Sequence, residues 1–129
     1  MISVVNSAIC GLREGDPQDL VARKSGEIVI LVTAPDEDLA GSIALRLVEA
    51  KLAACVNVVG PIRSVYRWEK KVCDDREMLL IVKTKAQLFQ RVERVVKRLH
   101  RYEVPEVIAL PIMSGSRAYI NWLRTSTLK

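Results

Sequence analysis

The sequence predicts one α+β domain in which two amphipathic helices cover one side of a four-stranded antiparallel sheet. Two observations carry this. Four β-rich runs alternate with two stretches of helical spacing in the order β-α-β-β-α-β, and 129 residues suffice for one packed core and not for two. Half of the residues are apolar and 27% are charged, a globular balance. No apolar run approaches the ~18 residues that a spanning helix needs, so a soluble chain with no membrane partner is expected.

Regular text begins at Glu27. Residues 1–26 read as a loosely ordered extension and residues 27–129 as the folded domain. Ile28 to Val32 are all β-branched or leucine and are closed off by Pro35, the pattern of a buried strand. The following DEDLAGSIALRLVEAKL is acidic at its start and carries Leu39, Ile43 and Leu47 on one stripe, which predicts an amphipathic helix. Ala53 to Trp68 and Val72 to Thr84 form the next two strands, with a charged hairpin between them. Gly60 and Pro61 interrupt the first of these and predict a bulge, because proline has no N–H for the ladder. Lys85 to Arg101 returns to helical spacing, with Leu88, Val92, Val95, Val96 and Leu99 on one face. EVIALPI then supplies a fourth strand and SRAYINWLRTST a short closing helix. Two β-α-β halves joined by a hairpin make the ferredoxin-like split βαβ arrangement, whose right-handed crossovers put both main helices on one sheet face.

That arrangement leaves the other face bare. An antiparallel sheet with one wet side alternates apolar and polar residues, yet Ile28 to Val32, Met78 to Val82 and Val107 to Leu110 are apolar throughout. Leaving about eight such side chains in water would forgo on the order of 10 to 20 kcal/mol, as much as a whole domain's stability. The closing helix is too short to cover them all. Another copy of the chain is the most economical cover.

Chemical motifs are sparse. His100 is the single histidine, and no GxSxG elbow, GxGxxG, Walker loop or HExxH accompanies it, so the sequence predicts no enzyme and requires no cofactor. His100 follows the second helix, where a structural role is the ordinary one; as a metal ligand it needs partners from elsewhere. Asp74, Asp75 and Glu77 read as solvated charges of the hairpin. Cys10, Cys55 and Cys73 are scattered, with no CxxC pair, which suits reduced thiols in a cytoplasmic protein; Cys55 reads as a small buried hydrophobe and Cys73 as the more exposed thiol. The net charge of +5 is modest, and MLLIVKT and EVIALPI lack the aromatics an RNA-binding sheet displays, so no nucleic-acid partner is expected.

VTAPDEDLAGSIALRLVEAKLAACVNVV, IRSVYRWEKKV, EMLLIVKT, HRYEVPEVIALPI and the terminal YINWL resemble, in order and spacing, the CutA family of divalent-metal-tolerance proteins. The resemblance runs from Ile28 to Thr127. It implies a homotrimer akin to the nitrogen-regulatory PII proteins, a non-enzymatic role in tolerance of divalent metals, and Cu(II) or another divalent ion as ligand. Carried over by position, it implies His100 as the metal candidate, and Asn57, Ser64, Tyr66, Trp68, Lys83, Tyr102, Glu106 and Trp122 as residues bordering the clefts between subunits. A PII-like trimer sensing a small anion, or an interaction scaffold, is the alternative. The chain departs from the family pattern at Lys70, where glycine is usual, and at Arg101, where proline is usual; Val32 and Leu99 stand where some bacterial members carry further copper ligands.

Overall fold

The computed structural model describes residues 26–129. The expected N-terminal extension lies outside the described residues. The elements are β1 (Glu27–Ala34), α1 (Glu37–Glu49), β2 (Cys55–Trp68), β3 (Lys71–Lys85), α2 (Phe89–Leu99), β4 (Val107–Pro111) and α3 (Arg117–Thr125). All pairings are antiparallel and the strand order is β2-β3-β1-β4, the ferredoxin-like topology expected.

Local chemistry fixes the helix boundaries. Asp36 caps α1 by accepting a 2.8 Å hydrogen bond from the Leu39 N–H, and Ser116 caps α3 by accepting one of 3.2 Å from the Tyr119 N–H. The second helix begins later than its spacing predicts. Lys85 completes β3, and a tight 3-10 turn over Ala86–Leu88 brings the chain into α2.

Ile28, Ile30 and Val32 of β1 and Leu80 and Val82 of β3 meet Ala40, Ile43 and Leu47 of α1 and Val92 and Val96 of α2 in one buried cluster. Thr84 is fully buried beside it, and its hydroxyl donates to the Leu52 carbonyl at 2.6 Å, so no buried donor is left unsatisfied there.

The second face is different. Val29 and Leu31 on β1, Leu79 and Ile81 on β3, and Ile108 and Leu110 on β4 share it by register. The β3 pair is half-buried, whereas Ile108 and Leu110 are each 51% exposed and Val59 of β2 is 43% exposed. The closing helix docks at one end: Leu123 is buried, and Arg124 pairs with Glu27 at 2.5 Å while its carbonyl accepts from Lys85.

The predicted bulge is present. Val59 pairs with Leu79 and Ile62 with Glu77, so Gly60 and Pro61 together oppose Met78. The side-chain phase of β2 changes there. Before the bulge Asn57 and Val59 share the second face with Ile81 and Leu79; beyond it Ile62, Ser64, Tyr66 and Trp68 do, opposite Glu77, Asp75, Cys73 and Lys71.

The hairpin turns on Glu69 and Lys70, which have φ of 49° and 68°. Two successive positive values suit a two-residue hairpin of the type I′ class, which favours Asn-Gly and not a pair with long side chains. Holding a lysine there costs about 1 kcal/mol of backbone strain. Lys70→Gly should therefore raise the melting temperature by a few degrees in a thermal scan; an unchanged or lower midpoint would show that the turn carries no strain.

Candidate functional site: an acidic aromatic cleft

Beyond the bulge, the second face becomes one wall of a cleft of about 730 Å³. Ser64, Tyr66 and Trp68 reach it from β2, Thr33 from β1 and Glu77 from β3, and the segment joining α2 to β4 closes it with Tyr102, Glu103 and Glu106. The phase change puts Tyr66 and Trp68 on this wall; an unbroken strand would have turned them towards the helices.

Two tyrosine–carboxylate pairs organise the interior. The Tyr102 hydroxyl donates to Glu77 Oε2 at 2.6 Å, and the Tyr66 hydroxyl donates to Asp75. Glu77 is 6% exposed. Both phenols are held well above their usual range: Tyr66, up to about 12, chiefly by its bond to Asp75, and Tyr102 by burial and then by its bond to Glu77. Glu106 is likewise raised, by burial first and by the charge of Glu77 second. Arg63, at the rim, spends its guanidinium on a bidentate pair with Asp74 at 2.9 and 2.6 Å.

His100 stands behind this wall. Its Nε2–H donates to the Thr33 carbonyl at 2.7 Å, its Nδ1 accepts from the Tyr102 N–H at 3.1 Å, and its ring lies 4.5 Å from that of Tyr102, tilted by 42°. Both nitrogens are engaged, which is the geometry of a neutral, structural imidazole. Arg101, in the place of the usual proline, reaches back to Asp36 at 2.6 Å.

The residues implied by resemblance fall into two groups. Ser64, Tyr66, Trp68, Tyr102 and Glu106 line the cleft with His100 adjacent. Asn57, Lys83 and Trp122 do not. Lys83 donates to Asn57 and lies opposite Cys55 on the same sheet face, while the Trp122 ring packs 5.3 Å from that of Tyr119 on the closing helix. Cys55 is half-buried, not a core residue, and so is Cys73.

Glu77 corrects the reading of the hairpin carboxylates as solvated. It continues the parity of Leu79 and Ile81 and therefore turns inward, a signal present in the spacing of β3. Among the described residues, no three His, Cys, Asp or Glu side chains are placed to hold one metal ion together.

The family model for the CutA1 divalent ion tolerance protein matches residues 28–126. The chain belongs to this family. It is 50% identical over 101 residues to the divalent-cation tolerance protein CutA of Thermus thermophilus, covering 78% of this chain and 98% of that one. It is also 50% identical over 100 residues to the chloroplastic CutA of Arabidopsis thaliana, but spans only 55% of that relative's length. Among solved structures, CutA1 from Oryza sativa superposes with a TM-score of 0.78 at 47% identity over 81% of this chain and 95% of the other. The family model and the Thermus relative are named for tolerance, and none of these names describes a reaction.

The expectation of a cytoplasmic protein is corrected by the same relatives. One CutA is named chloroplastic, and the structure from Archaeoglobus fulgidus, with a TM-score of 0.75, 40% identity and cover of 78% of this chain and 97% of that one, is of a CutA named periplasmic. Location varies within the family, so scattered cysteines do not fix it here.

The raised Glu106 carboxyl has a definite consequence. A carboxylate whose folded pKa lies above its unfolded value destabilises the fold once ionised, and the penalty disappears as pH falls through the folded value. Glu106→Gln should melt higher than the parent at neutral pH and converge with it in mild acid. A difference independent of pH would refute the desolvation account.

Proposed function

We propose that this CutA1 family member serves divalent-cation tolerance as a non-enzymatic homotrimer assembled through the second sheet face, and that it binds the metal directly, Cu(II) in preference. The observation that carries the reading is that face: Val59, Ile108 and Leu110 are 43 to 51% exposed in a sheet whose central strands β1 and β3 are packed against the helices on the other side. Contiguous apolar surface of this kind marks a contact between chains.

Three features support a binding role over catalysis. His100 has no free lone pair with which to take a proton from a nucleophile. Tyr66 and Tyr102 are bound to carboxylates and their raised pKa values make phenolate scarce at neutral pH. The family model and the Thermus relative are named for tolerance. For the metal, His100 is the ligand that the resemblance implies: Nε2 takes the ion once its proton moves to Nδ1 and the Thr33 and Tyr102 contacts are given up. Since no three ligating side chains converge among the described residues, the cleft adds at most one carboxylate oxygen. Water or a neighbouring copy completes the shell. Such a site binds weakly and prefers Cu(II) over Zn(II). The acidic lining argues against an anionic effector in this cleft.

Light scattering across a size-exclusion peak should give about three times the 14.5 kDa chain mass. A parent protein that is monomeric at micromolar concentration overturns the assembly. Ile108→Glu, which places a charge on the shared face, should shift the trimer towards monomers.

Calorimetric titration with Cu(II) at neutral and mildly acidic pH tests the ligand. Binding should be saturable, should weaken in acid as protons compete for the ligands, and should be lost in His100→Ala but kept in Cys73→Ser. Loss in Cys73→Ser alone would move the site to the hairpin, and no saturable binding would make tolerance an indirect effect.

A further inference from the structure

We propose that the cleft is a binding site for a small organic ammonium ion, held against the rings of Tyr66, Trp68 and Tyr102 by the carboxylates of Glu77 and Glu106. This goes beyond metal tolerance and does not depend on it.

Size and sign come first. A volume of about 730 Å³ lies within the range of small-molecule sites. The chain carries a net charge of +5, yet this cleft is lined by Glu77, Glu103 and Glu106, and its arginine, Arg63, is neutralised by Asp74. A concave, acidic pocket on a basic protein concentrates cations and repels anions.

The aromatic chemistry narrows the class. Had the tyrosine hydroxyls been free to donate, they would have suited an anion or a neutral acceptor. They are spent on Asp75 and Glu77, so what the tyrosines and Trp68 offer is ring surface. Aromatic faces combined with nearby carboxylates attract cations that are weakly hydrated and apolar at their edges. A bare divalent ion requires several oxygen or nitrogen atoms converging on one point, and among the described residues no three ligating side chains do so. An ammonium group with alkyl substituents needs no such shell. The crowding that raises Glu106, burial together with the charge of Glu77, is also what a bound monovalent cation relieves.

The experiment is a fluorescence titration of the assembled, full-length chain with tetramethylammonium chloride, in EDTA, beside sodium chloride at equal ionic strength. Trp122→Phe leaves Trp68 as the reporting indole, since the sequence has two tryptophans. The expected result is a saturable change in Trp68 emission with tetramethylammonium and none with sodium, weakened about tenfold in Glu106→Gln. Glu77→Gln should weaken it at least as much; if that variant fails to fold, Glu106→Gln reads the same carboxylate pair from the mouth of the cleft. Equal responses to the two salts, or unchanged binding in Glu106→Gln, would overturn the proposal. So would a site that Cu(II), added without EDTA, saturates while tetramethylammonium does not, an outcome that leaves the metal reading standing.

Discussion

Apolar side chains on both sides of β1 and β3 are the constraint from which the rest of the architecture follows. Ile28, Ile30 and Val32 meet the two long helices, while Val29 and Leu31, one residue out of phase, look the other way. A strand cannot satisfy both sets with helices from a split βαβ crossover, because right-handed connections deliver both helices to the same side. The closing helix relieves one end, anchored by Leu123 and the Glu27–Arg124 pair. At the other end the apolar strip gives way to the cleft. Core, exposed apolar strip and cleft are thus successive zones of one sheet.

The chemistry of the cleft is that of positioned, fully engaged polar groups. Tyr102 links two of them: its hydroxyl donates to Glu77, its N–H donates to Nδ1 of His100, and its ring lies tilted against that imidazole. His100 in turn ties the end of α2 to the Thr33 carbonyl of β1. A histidine in this setting works as a brace between sheet and connecting segment. The negative charge gathered in front of it belongs to carboxylates with few neutralising neighbours, which is an environment made for cations.

Much of the fold was legible in the sequence because the relevant signals are local. The consecutive apolar residues from Ile28 to Val32, the acidic start at Asp36 and the Gly60-Pro61 interruption each correspond to an observed strand, cap or bulge. The cleft was legible only in part. The resemblance implied all eight residues as borders of clefts between subunits; within the single chain Ser64, Tyr66, Trp68, Tyr102 and Glu106 gather in one cleft, and Asn57, Lys83 and Trp122 stand elsewhere on the sheet and closing helix. Glu77 was missed because a charge beside Asp74 and Asp75 reads as solvated until register is known. Its inward turn follows from counting in twos from Ile81, which is informative only once the pairing of β3 is established. The engagement of His100 Nε2 depends on the Thr33 carbonyl, 67 residues away in sequence, a contact that no local pattern encodes.

The bulge also decides which of two possible walls the hairpin presents. If Gly60 and Pro61 were both taken into regular pairing without a change in chain length, the distal half of β2 would slip by one position. Arg63, Val65 and Arg67 would then take the sheet face on which Ser64, Tyr66 and Trp68 now stand, replacing an aromatic wall with a cationic one. Pro61 opposes that slip, since in a regular position it would leave a ladder acceptor without its donor. A residue with no polar side chain of its own thereby sets the electrostatic identity of a site in which it takes no part.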